Sequence, residues 1–526
     1  MSVRYRIKHP INRVALALVL LSLLANPAAR ATSPLWGELK PGPYAVGFEN
    51  VEKYDYSRVY RDKYDYDGNP RVGEVARPIQ IYIWYPASAA AETPSMVYGE
   101  YAFAAPEDSR FYPLLSELQG REAGYTIAFL AGSRGLLQDL MNMNVTAFKD
   151  APREQGEFPL IVYHPDVIGG ISQNAVMCEY LASHGFVVAT SHALGAQTLN
   201  AAMDAVGLET MIRDREFVYG YMRDYPQVDN NKPGLLGVGT GGLSALLMQM
   251  RNTDIEAVAA LDGILAYNYG IRLGTEFPNY SVARAEVPIL QMYVADHDSL
   301  DLSLVDSLRF SQRLLFAVSE RNRNDFTLYP FAGALLADTS VERLRGTAAF
   351  YGRLCETVRE FFEVFLKGDN LESKAFLSPA PDTYWPVTYS LKEKEIPPPT
   401  EIQFVEMIQE DKIERAIEIY EQLKKTRPGY VFFQEATMNG LGYQLLQQNR
   451  LGEARRIFRM NTEAFPNSAN VWDSYADACL ASGDTETAIT CYERVLEVLP
   501  SDSAVGPQVR ELLQNNATQG LEQLRR

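Results

Sequence analysis

Histidine is scarce in this chain: there are five in 526 residues, and none lies beyond His297. Any general base supplied by the later part of the sequence must therefore be of another residue type. Cysteine is almost as rare, and four in a chain of this length exclude a disulfide-built scaffold. Cys479 and Cys491 fall on neighbouring predicted helices; two unpaired buried thiols are expected, with pairing in an oxidising compartment as the alternative. Basic charge is short as well, 49 Lys and Arg against 66 Asp and Glu, a formal net charge of -17. That balance excludes nucleic acid as a partner, because neutralising phosphates needs a basic face.

The one conspicuous apolar run is "VALALVLLSLLA", which is too short to span a bilayer comfortably. Arg4, Arg6, Lys8 and Arg13 precede it and Ala29-Arg30-Ala31 follows, so residues 1–31 read as a secretory signal. The expected mature protein is exported, periplasmic or secreted, with no stable membrane span after cleavage.

What is present falls into two regions. Between residues 32 and 391, short apolar runs alternate with helical stretches: "RPIQIYIWYP", "FPLIVYHP", "HGFVVATSH", "KPGLLGVG", "IEAVAALDG", "VPILQMYVA" and "DFTLYPF". That alternation predicts one α/β domain, doubly wound around a mostly parallel sheet. Residues 392–401, "KEKEIPPPTE", form a charged and then proline-rich linker.

From 402 to 526 the pattern becomes helical and repeats at a shift of 34, placing Leu441 on Tyr475, Gly442 on Ala476, Ala454 on Ala488, Phe458 on Tyr492 and Pro466 on Pro500. An earlier unit repeats Ala416, Tyr420 and Pro428 at an offset of 38. The all-α region resembles tetratricopeptide repeats, with Ser503 to Leu524 as a capping segment. Stacked helix pairs make a groove suited to a protein or peptide partner, although packing on the first domain and self-association are alternatives.

The stretch "LLGVGTGGLSALL" runs from a strand through a glycine cluster into a helix. It fits a dinucleotide fingerprint, with Asp262 at the end of the next strand. Against that, the fingerprint belongs on the first strand of its fold, and here several strands come earlier. It also fits the strand-turn-helix elbow G-x-S-x-G, with Gly239 in the nucleophile's place.

With "GPYAVGFENVEKYDYSRVY", "RPIQIYIWYPA", "FPLIVYHPDVIGG" and "CEYLASHGFVVATSHALGA" beside it, the first region resembles the dienelactone-hydrolase-like and platelet-activating-factor acetylhydrolase branch of the α/β-hydrolases. The resemblance implies a pocket for a small acyl or ester ligand, a Ser-Asp-His triad, and neither cofactor nor metal. Carried onto this sequence, the serine falls on Gly239, the aspartate on Asp262, and the histidine on Gly333 in "GALLAD". Only Asp262 is retained, so serine catalysis has neither nucleophile nor base. The family's oxyanion donors would be the backbone N–H groups of Thr240 and of the "PDVIGG" loop near Val167.

The expectation is a non-catalytic binding protein. The alternative is an active esterase in which the elbow shifts by one residue and Thr240 attacks. His297, between Asp296 and Asp298, is the candidate replacement base, while His164 and His192 are expected to be satisfied structural histidines. Adjacent residues of a strand face opposite ways, which argues against a metal held by Asp296, His297 and Asp298. The insertion "LQGREAGYTIAFLAGSRGLLQDLMNMN" suits either a lid or ordinary packing.

Overall fold

A computed structural model describes residues 33–525, apart from 71–72, 74, 89–95, 103–110, 131, 169, 338, 375–382, 396 and 411. The expected signal lies outside the described residues. The chain folds as two compact units, Met1–Glu395 and Ile396–Arg526.

The first unit is built on ten strands: β1 (Ala45–Val59), β2 (Ala76–Ala87), β3 (Ala147–Lys149), β4 (Phe158–His164), β5 (Val187–Ser191), β6 (Val228–Val238), β7 (Ala257–Leu261), β8 (Ile289–Val294), β9 (Arg313–Val318) and β10 (Val387–Lys392). They lie side by side in the order β10-β9-β8-β7-β6-β4-β5-β2-β1-β3. From β5 to β9 every neighbouring pair is parallel, whereas β2 runs against both β1 and β5. This is a mostly parallel α/β sheet.

Buried strands explain the apolar runs, because alternate residues feed two different cores. Ile161, Tyr163 and Leu236 join one cluster with α3 (Ala175–Ser183) and α8 (Val341–Lys367). Leu160, Val162 and Leu235 join the other with α4 (Ala205–Met222) and α5 (Thr240–Gln249), and α6 (Asn268–Thr275) packs against it. The sheet is thus covered on both faces.

The insertion forms α1 (Tyr112–Phe129) and α2 (Arg134–Met141). It is fastened down: Ser172 donates from Oγ and N to the Glu122 carboxylate at 2.7 and 3.2 Å, and Arg121 reaches the carbonyl of Ala193 at 3.4 Å. Burial pushes the Glu122 carboxyl up to about 7. Residues 172 and 193 follow β4 and β5, so these helices lie over the ends of central strands.

One predicted strand is overturned. "DFTLYPF" holds the end of a short 3-10 turn (Arg323–Phe326) and the start of α7 (Tyr329–Leu336), where Pro330 sits in the first turn. Proline suits that position because its missing N–H would be unpaired in any case. The last parallel strand is instead β9, the apolar "RLLFAV" that follows Gln312. The linker is also shorter than expected, since Lys392 still belongs to β10 and a helix begins at Glu401.

The second unit consists of α9 (Glu401–Gln409), α10 (Ile413–Thr426), α11 (Glu435–Gln447), α12 (Leu451–Ala464), α13 (Ala469–Ala481), α14 (Thr485–Val498) and α15 (Pro507–Leu524). Its core joins Phe404, Ala416, Tyr420, Leu441, Ala454, Phe458, Ala476, Ala488 and Tyr492. The small residue at Gly442 is a packing requirement: a Cβ there would lie 2.4 Å from Cζ of Phe458. All four cysteines are free and buried.

Candidate functional site

A strand, a glycine turn and a helix follow one another at the glycine cluster. Strand β6 ends at Val238, α5 begins at Thr240, and Gly239 between them has φ 57° and ψ -121°. Glycine adopts that positive-φ conformation freely, whereas a side chain would be strained by roughly 1–3 kcal/mol. The turn is held by Gly239 N donating to Leu261 O at 3.0 Å and Ile264 N donating to Gly239 O at 3.1 Å.

The space beside Gly239 is filled from the loop that follows the neighbouring strand β4. Pairing of β4 with β6 sets His164 beside Gly237. Two residues on from that pair, Asp166 meets Gly239. A Cβ on Gly239 would lie 2.4 Å from Asp166 Oδ2 and 2.6 Å from its Cγ. The Asp166 carboxylate therefore occupies the volume that any side chain at Gly239 would need.

Both expected oxyanion donors are spent on the same cluster. Thr240 N donates to Asp166 Oδ1 at 3.3 Å, and its Oγ1 donates to that oxygen at 2.5 Å. Val167 N donates to Thr240 Oγ1 at 3.0 Å. Thr240 is 4% exposed, so the hydroxyl is an internal link. Its partners are Asp166 and Val167, with no histidine among them.

Asp262 directly follows β7 in a positive-φ conformation, φ 46°, and is buried. Tyr267 OH donates to its Oδ1, and Arg323 Nε donates to its Oδ2. Arg323 Nη1 also donates to Tyr269 OH at 2.8 Å. Burial raises the carboxyls of both Asp166 and Asp262, and the Arg323 guanidinium opposes the rise in each. The same pairing holds Arg323 above its ordinary value against the effect of its own burial.

Gly333 does not join this cluster. Counted from β9, the segment after the last parallel strand is 319–324, and its Arg323 is the residue that engages Asp262. Gly333 sits on α7 facing elsewhere: a Cβ there would meet Leu130 Cδ2 at 3.7 Å and Phe129 O at 3.9 Å. An arginine can hold the aspartate as an imidazole would, but it cannot accept a proton at neutral pH.

The remaining histidines serve other ends. His164 Nδ1 pairs with Ser244 Oγ at 3.0 Å, while its Nε2 is buried without a partner. His192 Nε2 pairs with Tyr82 OH at 3.0 Å. Burial holds His164 well below its usual range and pushes His192 down to about 3, so both are neutral. His297 Nδ1 accepts from Ser299 N at 3.1 Å, and its ring lies 4.7 Å from that of Tyr267. It lines an open cleft of about 770 Å³ with Asp296, Glu320, Arg321 and Arg323. Among the described residues, no group of three or more His, Cys, Asp or Glu is arranged to hold a metal ion.

Two residues central to this arrangement, Asp166 and Arg323, carry no motif. The only signal for Asp166 is its place immediately before Val167 in the loop already expected to supply an oxyanion donor.

No family model matches the chain, and no curated protein matches it in sequence. Among solved structures it is similar to a ferulic acid esterase from Streptomyces cinnamoneus, at 18% identity over 66% of this chain and 98% of that one, with a TM-score of 0.44.

Proposed function

We propose that this is an exported, non-catalytic member of the hydrolase-like proteins, whose C-terminal helix pairs are tetratricopeptide repeats that dock a protein or peptide partner. The observation that carries the reading is the Asp166 carboxylate lodged at Gly239 and bonded to Thr240. Acyl transfer needs a nucleophile, a base and free oxyanion donors. Here the nucleophile's place is a glycine, Arg323 replaces the base, and the donors are consumed internally.

The test is hydrolysis of p-nitrophenyl acetate by the purified chain from Thr32 to Arg526, beside its Thr240→Ala variant. The expected result is no turnover above buffer for either protein. Turnover that disappears in Thr240→Ala would overturn the reading and establish Thr240 as a nucleophile.

A further inference from the structure

Helix α1 turns one face inward, and that face reads Leu114, Leu118, Glu122, Thr126 and, just past the helix end, Leu130. The spacing of four puts these residues on one stripe, and all five are buried. Leu114 and Leu118 pack with Tyr60, Phe111 and Leu194, while Leu130 joins one of the two main cores. A glutamate in the middle of such a stripe breaks the pattern. Glu122 is only 3% exposed.

Its carboxyl has few partners. Oε1 accepts both bonds from Ser172, and Oε2 is buried with no partner. Arg121, next to it in the chain, turns away and directs Nη1 to the carbonyls of Ala193 and Leu199. The loop after β4 is shaped around the carboxyl, since a Cβ on Gly170 would overlap it. Ser172 is itself held in place by Tyr98, whose OH donates to the Ser172 carbonyl at 2.7 Å.

The titratable groups that face Glu122 are Arg121 on α1, Tyr82 of β2, Tyr98, and Tyr329 of α7. Burial raises all three tyrosines, which stay neutral, so Arg121 is the one charge among the four. Burial acts most strongly on the Glu122 carboxyl and raises it; the Ser172 bonds, and after them the Arg121 charge, oppose the rise. An ionised carboxylate in this position leaves a charged oxygen without a donor, whereas the protonated carboxyl is a neutral member of the stripe.

We propose that Glu122 is a proton-operated latch for the cover formed by α1 and α2. While the carboxyl keeps its proton, α1 stays seated over the ends of β4 and β5; when the proton leaves, α1 lifts and carries the charge into water. The direction follows from linkage. Lifted, the carboxyl titrates near its ordinary 4.5, and seated it is held up to about 7. The seated state is therefore favoured fully below 4.5 and loses that advantage as pH climbs through 7. The latch belongs to the first unit and does not depend on the role given to the repeats.

Hydrogen exchange of the purified chain between pH 5 and 8, corrected for the intrinsic rate, tests the latch on peptides from α1, β6 and β7. The opening equilibrium of α1 is expected to rise by about ten-fold or more across that range, with β6 and β7 unchanged. Glu122→Gln keeps an acceptor for Ser172 and cannot ionise, so its α1 should stay protected at both ends of the range, within about two-fold. Should that variant fail to fold, as the β6 and β7 peptides would reveal, Glu122→Met asks the same question with another side chain that cannot ionise. Wild-type protection of α1 that does not change with pH, or a variant that keeps the change, would overturn the latch. A change shared by β6 and β7 would assign the effect to global unfolding and overturn it as well.

Discussion

Gly239→Ser, the substitution that would restore a nucleophile by sequence logic, is expected to yield an inactive and less stable protein. The new Cβ would fall 2.4 Å from Asp166 Oδ2, at a residue with φ 57°. Strain at such a backbone costs roughly 1–3 kcal/mol, and overpacking a filled site costs a similar amount. A loss of about 3–5 kcal/mol follows, read from urea unfolding of the first unit. Asp166→Ala in the same chain removes the clashing carboxylate, so the pair should be far from additive, with at least about 1 kcal/mol recovered in the double-mutant cycle. Additive losses would show that Asp166 does not fill the elbow. The double variant still lacks a histidine at Asp262 and should remain inactive toward p-nitrophenyl acetate.

How much of this was legible beforehand differs from element to element. The elbow, β4, β7 and the helical repeat are written in local pattern: an apolar strand, a glycine turn and a helix at Leu235 to Leu247, and a small-residue period of 34. Asp166 was not legible, because nothing local relates residue 166 to residue 239. Only the pairing of His164 with Gly237 in adjacent parallel strands brings them together. Arg323 was missed for a different reason. "DFTLYPF" and "RLLFAV" are both short apolar runs, and periodicity alone cannot tell a buried strand from the start of a buried helix. Reading the first run as the last strand puts the expected histidine position at Gly333, which lies on α7. No histidine lies beyond His297 in either register, because that depends on composition alone.

Arg323→Met is expected to separate the role of the Asp262 partner from that of a packing residue. Breaking a buried ion pair by removing one member costs roughly 3–5 kcal/mol, but Arg323 is 36% exposed, so solvent takes up part of the loss and about 2 kcal/mol is expected near pH 8. The deficit should depend on pH in a defined direction. Burial already raises the Asp262 carboxyl with Arg323 beside it, and without the guanidinium the rise is larger. A carboxyl whose folded pKa lies above its unfolded one favours folding by holding its proton. That advantage is fully present below the ordinary value of 3.8 and is lost as pH climbs through the folded value. The variant should therefore approach wild-type stability near pH 4 and fall behind progressively toward pH 8, as followed by melting temperature across that range. Asp262→Asn added to Arg323→Met should flatten the profile, since the uncompensated charge is gone. A deficit that stays constant with pH would instead assign Arg323 to its stacking on Tyr267 and Tyr269, whose ring centroids lie 5.7 and 6.0 Å from its guanidinium carbon.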